Sequence, residues 1–222
     1  MNGFVLAGGR STRMGRDKAL LTMNGRPLVE HMLELLRGLG LNPRICGSRP
    51  DLHPDATTAG GPGARNYLAG FAEVVPDNFA QCGPLGGMEA ALAVSDSELN
   101  LFVPVDAPGI PSGFLRWMMD RAEMSHAVAT IPRCGDRLQP LCAIYSRRLL
   151  EGIRGSLAAG DCKVMVAIEG AAAALGEAVD AFDVESVAAT GPMGWPLEAP
   201  AGWFRNMNTP ADYAGLVGVG KR

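Results

Sequence analysis

No stretch of this 222-residue sequence approaches the roughly 20 consecutive apolar residues that a membrane-spanning helix requires. No membrane partner is therefore expected. An excess of positive charge is lacking too: 20 Lys and Arg stand against 23 Asp and Glu, for a net charge of −3 and a pI near 5.6. Electrostatic binding to nucleic acid needs a basic face, so no nucleic-acid partner is expected either. There is no C-x-x-C, and the five cysteines (Cys46, Cys82, Cys134, Cys142, Cys162) are odd in number and scattered. That pattern fits thiols of a reducing compartment better than a disulfide frame or a zinc site. The opening Met1-Asn2-Gly3-Phe4-Val5-Leu6 has no basic region and runs straight into Gly8-Gly9, unlike a secretory signal. A soluble cytoplasmic protein is the expectation. Two common nucleotide-binding patterns, G-x-x-x-x-G-K-[ST] and G-x-G-x-x-G, are also missing.

What is present is ordinary globular material: 47% hydrophobic and 19% charged residues, with a mean hydropathy of +0.09. Such a composition excludes long-range disorder. The length suits one large domain, and neither a linker nor a repeat interrupts it. Short β-like runs alternate with helical patterns, which implies a mostly parallel sheet covered by helices. Strands are expected at Phe4–Ala7, Arg44–Cys46, Glu73–Val75, Leu99–Val103, Ala127–Ile131, Leu138–Tyr145, Ala181–Val184 and Trp203–Met207. A turn is expected at Asn24-Gly25. Helices are expected from Pro27 to Leu39, from Gly86 to Val94, and over Phe114–Met124, Arg147–Leu157 and Lys163–Leu175, the last capped by Asp161. Thr209-Pro210-Ala211-Asp212 has the spacing of a capping box. Arg49–Gly70 and Gly191–Gly202, rich in Pro and Gly, read as long surface loops.

Four segments carry chemistry. The first is Leu6-Ala7-Gly8-Gly9-Arg10-Ser11-Thr12-Arg13-Met14-Gly15-Arg16-Asp17-Lys18, directly behind the first strand. Its glycines allow a tight turn whose N–H groups can cradle an anion, and Arg10, Arg13, Arg16 and Lys18 add four cations. A glycine turn beside a solvated basic patch is the plain alternative, but this density behind a strand favours a polyphosphate. The second is Val103-Pro104-Val105-Asp106-Ala107-Pro108, an acid at the end of the most hydrophobic strand, where open α/β sheets bind ligands. One carboxylate facing phosphates is adequate for Mg2+, whereas an isolated D-x-P more often caps a turn. The third is Asp77 with Gly83-Pro84-Leu85-Gly86-Gly87, where glycines lead into a helix N-terminus that could face an anion. A loop with a surface acid explains it equally well. The fourth is Asn206-Met207-Asn208-Thr209-Pro210, in which Asn208 is either a metal ligand or turn chemistry.

In this order the four segments resemble the molybdenum cofactor guanylyltransferases, the MobA-like branch of the nucleotidyltransferases, over most of the chain. The resemblance implies a single-domain, three-layer, Rossmann-like nucleotidyltransferase fold (α/β) with a mostly parallel central sheet. Its N-terminal half would bind nucleotide and its C-terminal half the acceptor. It implies transfer of GMP from GTP to the terminal phosphate of molybdopterin, with release of pyrophosphate and dependence on Mg2+. Leu6, Ala7, Gly8 and Gly9 would contact the nucleotide, with Arg13 and Lys18 on its phosphates and Asp77 beside it. Asp106 and Asn208 would serve the metal. Arg137 and Gln139, within Arg137-Leu138-Gln139-Pro140-Leu141, would lie on the acceptor side. Ser48-Arg49 stands where many members carry Asn-Arg. Molybdoenzymes or cofactor-carrier proteins are further partners that it leaves room for. Related chemistry remains open, either CTP with molybdopterin or GTP with another phosphorylated acceptor. A carrier module that binds nucleotide or cofactor without catalysis is the alternative of another class.

Overall fold

The computed structural model describes residues 1–7, 18–48, 68–190 and 200–206. β1 (Asn2–Leu6) is followed, past a 3-10 turn at Lys18–Leu20, by a small hairpin of β2 (Thr22–Met23) and β3 (Arg26–Pro27). Asn24 and Gly25 take φ of 53° and 79°, the left-handed pair that a two-residue hairpin turn demands. Then come α1 (Leu28–Gly38), β4 (Pro43–Ser48), β5 (Val74–Pro76), α2 (Gly83–Val94), β6 (Leu99–Pro104) and α3 (Ser112–Ser125). The second half holds β7 (Ala129–Cys134), β8 (Arg137–Leu138), β9 (Ala143–Ser146), α4 (Leu150–Ala158), α5 (Val164–Leu175), β10 (Val179–Asp183) and α6 (Val184–Thr190).

The main sheet runs β10-β7-β9-β6-β1-β4-β5, with β8 paired to β7. β1 pairs in parallel with β4 and β6, β4 with β5, and β10 with β7; β9 runs antiparallel between β6 and β7. Alternation along β1 sends Phe4 and Leu6 to one face and Val5 and Ala7 to the other, and each face is buried by helices. Residues of α1 and α3 cover Val5, Leu101 and Val103, while residues of α2, α4 and α5 cover Phe4, Leu6 and Phe102. The result is the expected three-layer α/β fold with a mostly parallel sheet.

Several boundaries differ from expectation. Leu138–Tyr145 is not one strand: Pro140 lacks a donor, the chain turns with Cys142 N–H on the Gln139 carbonyl, and the Tyr145 hydroxyl donates to Pro140 O at 2.8 Å. Trp203 belongs to no strand. It closes a turn onto Pro200 O and buries its indole against Phe114, ring centroids 5.3 Å apart. Asp161 does not cap α5; its carboxylate accepts the Lys163 N–H one residue before the helix starts. Residues 184–190 form a helix that apolar periodicity did not announce. Cys82 and Cys162 form a disulfide, Cα–Cα 5.1 Å, where unpaired thiols were expected. Packing of α2 against α4 and of α4 against α5 brings together residues 80 apart in sequence, a proximity that spacing alone does not reveal. Cys46, Cys134 and Cys142 are free as expected. The capping box at 209–212 and most of the two long loops lie outside the described residues.

Candidate active site

From β1 the chain passes through α1 to β4 and β5 on one side, then through α2 to β6 on the other side of β1. The winding reverses between β1 and β6, and a sheet of this kind opens a crevice at the carboxyl ends of the strands flanking such a point. Ala7 is the first residue past β1, and Asp106 the second past β6. Register sets them side by side: Leu6 pairs with Pro104, and Val105 N–H donates to Leu6 O at 3.0 Å. Ala7 N–H donates to Cys46 O at 2.9 Å. These groups of Leu6 and Ala7 are engaged within the sheet, so the donors of an anion cradle would have to come from residue 8 onward. Gly8, Gly9 and Arg13 lie outside the described residues, as does Asn208. Lys18 opens the 3-10 turn leading to Leu20.

Asp106 is half-buried, and the residues after it are held from the C-terminal side. A Cβ on Gly109 would stand 3.1 Å from Gly202 O, so residues 200–203 lie directly on the Asp106 loop. Trp203, 1% exposed, anchors that contact by packing on Phe114.

Asp77 is the first residue past β5, two strands from β1 on the same carboxyl edge. Ser48, at the end of β4, pairs with Pro76 beside it. Burial, reinforced by the charge of Asp77, pushes the Cys46 thiol well above its ordinary value. The helix after Asp77 starts three residues earlier than expected, at Gly83 and not Gly86, so Gly83-Pro84-Leu85 belong to its first turn. Gly83 takes φ +58°, and Pro84 occupies an early position where no N–H is needed. At Gly86 a Cβ would meet Phe79 O at 2.9 Å and the Asp77 carboxylate at 3.6 Å. Absence of a side chain there lets residues 77–79 lie flat on α2.

Arg137 and Gln139 sit at the β7–β8 hairpin. Because β7 and β6 both run antiparallel to β9, this hairpin occupies the same carboxyl edge as Asp106, two strands along. Arg137 is exposed; Gln139 donates from its amide to Arg137 O at 3.3 Å and from its backbone to Pro132 O at 2.8 Å.

Among the described residues no three His, Cys, Asp or Glu side chains gather as a metal cage. Asp106 brings a carboxylate, a hard oxygen donor, to this edge. That fits Mg2+, which takes one or two carboxylates and completes its shell with phosphate oxygens and water.

Taken as geometry, this is a doubly wound α/β fold with its candidate ligand edge at a strand-order reversal. The model of the MobA-like NTP transferase domain matches residues 3–198. A probable molybdenum cofactor guanylyltransferase of Pelotomaculum thermopropionicum is 36% identical over 163 residues, covering 73% of this chain and 72% of that protein. A molybdenum cofactor guanylyltransferase of Syntrophotalea carbinolica is 33% identical over 156 residues, 70% of this chain and 68% of the relative. Among solved structures, molybdopterin-guanine dinucleotide biosynthesis protein A from Archaeoglobus fulgidus superposes with a TM-score of 0.73. It is 21% identical and covers 99% of this chain and 98% of its own, a likeness of fold. The chain belongs to the MobA-like NTP transferase family and is a nucleotidyltransferase.

Sequence reasoning missed Glu89, Asn78 and the role of Gly86. Glu89 is the one charged residue within Gly83–Val94, and the structure buries it completely.

Proposed function

We propose that this chain transfers GMP from GTP to the terminal phosphate of molybdopterin, giving molybdopterin guanine dinucleotide and pyrophosphate. The observation that carries the reading is the placement of Asp77, Ala7 and Asp106 along one carboxyl edge, with β1 and its glycine-rich sequel between the two acids. From β5 to β6 is three strand spacings, about 14 Å. A nucleotide can lie across that span with its base toward Asp77 and its phosphates toward Asp106. The named activities of the two relatives support GTP and molybdopterin as the pair.

In this reading the attacking phosphate is already ionised, so no general base is needed. Catalysis rests on holding nucleophile and α-phosphorus in line and on neutralising charge at the α-phosphate and departing pyrophosphate. Lys18, Arg13 and the N–H groups of Gly8 and Gly9 supply that charge and those donors. Asp106, with Asn208, would hold Mg2+, which contributes Lewis-acid neutralisation of phosphate oxygens when bound. Asp77 reads the base: guanine offers N1–H and its N2 amine side by side, both donors, and a carboxylate accepts both. Adenine presents an acceptor at N1 and leaves the carboxylate unpaired. Arg137 and Gln139, on the C-terminal half of the edge, hold the acceptor. Cytoplasmic location and docking of molybdoenzymes or cofactor carriers extend the same reading; no helix among the described residues is long and apolar enough to cross a membrane.

The test is pyrophosphate release with molybdopterin and each of the four NTPs, for the wild type and Asp77→Ala. GTP should be preferred, and the GTP:ATP ratio should collapse in the variant. Preference for CTP would overturn the nucleotide assignment. A ratio that held while GTP activity fell would overturn the role of Asp77 alone.

A further inference from the structure

A carboxylate with no exposed surface is costly unless paired and hydrogen-bonded, so Glu89 must be held in place for a reason. Arg154 of α4 donates to one oxygen, Nε to Oε1 at 2.8 Å, and also bonds Glu151 at 2.9 Å. The amide of Asn78 donates to the other oxygen, Nδ2 to Oε2 at 2.9 Å. Asn78 is the neighbour of Asp77 and is otherwise exposed. Glu89 lies three residues after Gly86, on the same face of α2. That face therefore grips the 77–79 segment at two points: Gly86 by close backbone approach to Phe79 O, Glu89 by a charge-assisted hydrogen bond to Asn78. Were the Glu89–Arg154 pair only a stitch between α2 and α4, the bond to Asn78 would be incidental.

We propose that Glu89, pinned by Arg154, is a positioning residue that acts through Asn78 to fix the Asp77 carboxylate at the nucleotide edge. The inference rests on the reading of Asp77 as a nucleotide contact. Asn78→Ala cuts the link while leaving the Glu89–Arg154 pair intact, and a thermal melt of each variant establishes that it is folded before GTP is titrated.

The experiment measures the dissociation constant of GTP with Mg2+, by calorimetry on the full chain, for wild type, Asn78→Ala, Asp77→Ala and the double variant. The expected result is about tenfold weaker binding for Asn78→Ala, in the range of coupled neighbours. The double variant should be no weaker than Asp77→Ala alone, because a positioning group has nothing left to position. Wild-type affinity in Asn78→Ala, with Asp77→Ala impaired, overturns the positioning role and spares the reading of the site. Full additivity assigns Asn78 a separate role and likewise overturns it. Unchanged affinity in Asp77→Ala removes Asp77 from the nucleotide site and takes both statements with it.

Discussion

Gly86→Ala probes the contact on which the Asp77 segment depends. The added methyl would stand 2.9 Å from the carbonyl oxygen of Phe79, a backbone atom that no rotamer change can move aside. Ordinary contact begins at 3.4 Å, so the 77–79 segment must retreat by roughly 0.5 Å or α2 must shift by as much. Overpacking of this kind costs about 1–3 kcal/mol. Gly-to-Ala exchange inside a helix returns ~1 kcal/mol, so the net destabilisation should be about 1 kcal/mol. In a domain of this size that lowers Tm by roughly 3 °C. Function should suffer more than stability. Misplacement by 1 Å can cost on the order of 100-fold in rate, so half of that displacement corresponds to about tenfold slower pyrophosphate release, with GTP bound more weakly as well. Gly170→Ala in α5 is the control: nothing lies within 4 Å of its new methyl. It should gain about 0.5–1 kcal/mol and leave GTP affinity unchanged. Thermal melts and GTP titrations on both variants decide the matter. If Gly86→Ala gained stability as Gly170→Ala should, or bound GTP as the wild type does, the gripped-segment account would be refuted.

Arg154→Met should destabilise by about 3 kcal/mol in urea titrations, because it leaves the buried Glu89 carboxylate without its cation. Glu151→Ala, at an exposed partner of the same arginine, should cost under ~1 kcal/mol; equal losses would show that Glu89 is not the demanding group. Thiol titration of the denatured, unreduced protein should count three free thiols (Cys46, Cys134 and Cys142), and five would contradict the Cys82–Cys162 pairing. In the native state, burial and then the bond to Glu185 push the Cys134 thiol up to about 11, so iodoacetamide at pH 8 should label it slowly. Rapid labelling would contradict that shift. Asp106→Asn keeps the side-chain volume but loses the charge that the proposed Mg2+ site needs. It should abolish pyrophosphate release with an unchanged melt, and turnover near that of the wild type would remove Asp106 from the site.

Much of the fold was legible because buried strands are short, apolar and bounded by turn residues. β1, β4, β5 and β6 fall within a residue or two of expectation, and so Asp77 and Asp106 stand past strand ends as the sequence implied. The shortfalls have physical causes. Leu138–Tyr145 is apolar enough for one strand, yet Pro140 splits it; Trp203 is apolar for packing on Phe114 and not for pairing. The helix from Gly86 to Val94 is legible, but its start three residues earlier is hidden because Gly83 and Pro84 both argue against helix. Glu89 is not legible because a single acid in an Ala-rich helix reads as solvent-facing until its partners, 11 and 65 residues away, are known.

Under the proposed function, the edge between β5 and β6 transfers a guanylyl group to a phosphorylated pterin. This transfer is tested most directly by supplying GTP radiolabelled at the α-phosphate together with molybdopterin and Mg2+. The account predicts that label enters a dinucleotide product in step with pyrophosphate release, and that both stop when Mg2+ is chelated. Label remaining in GTP or appearing only as free GMP, with the folded protein still binding GTP, would contradict it.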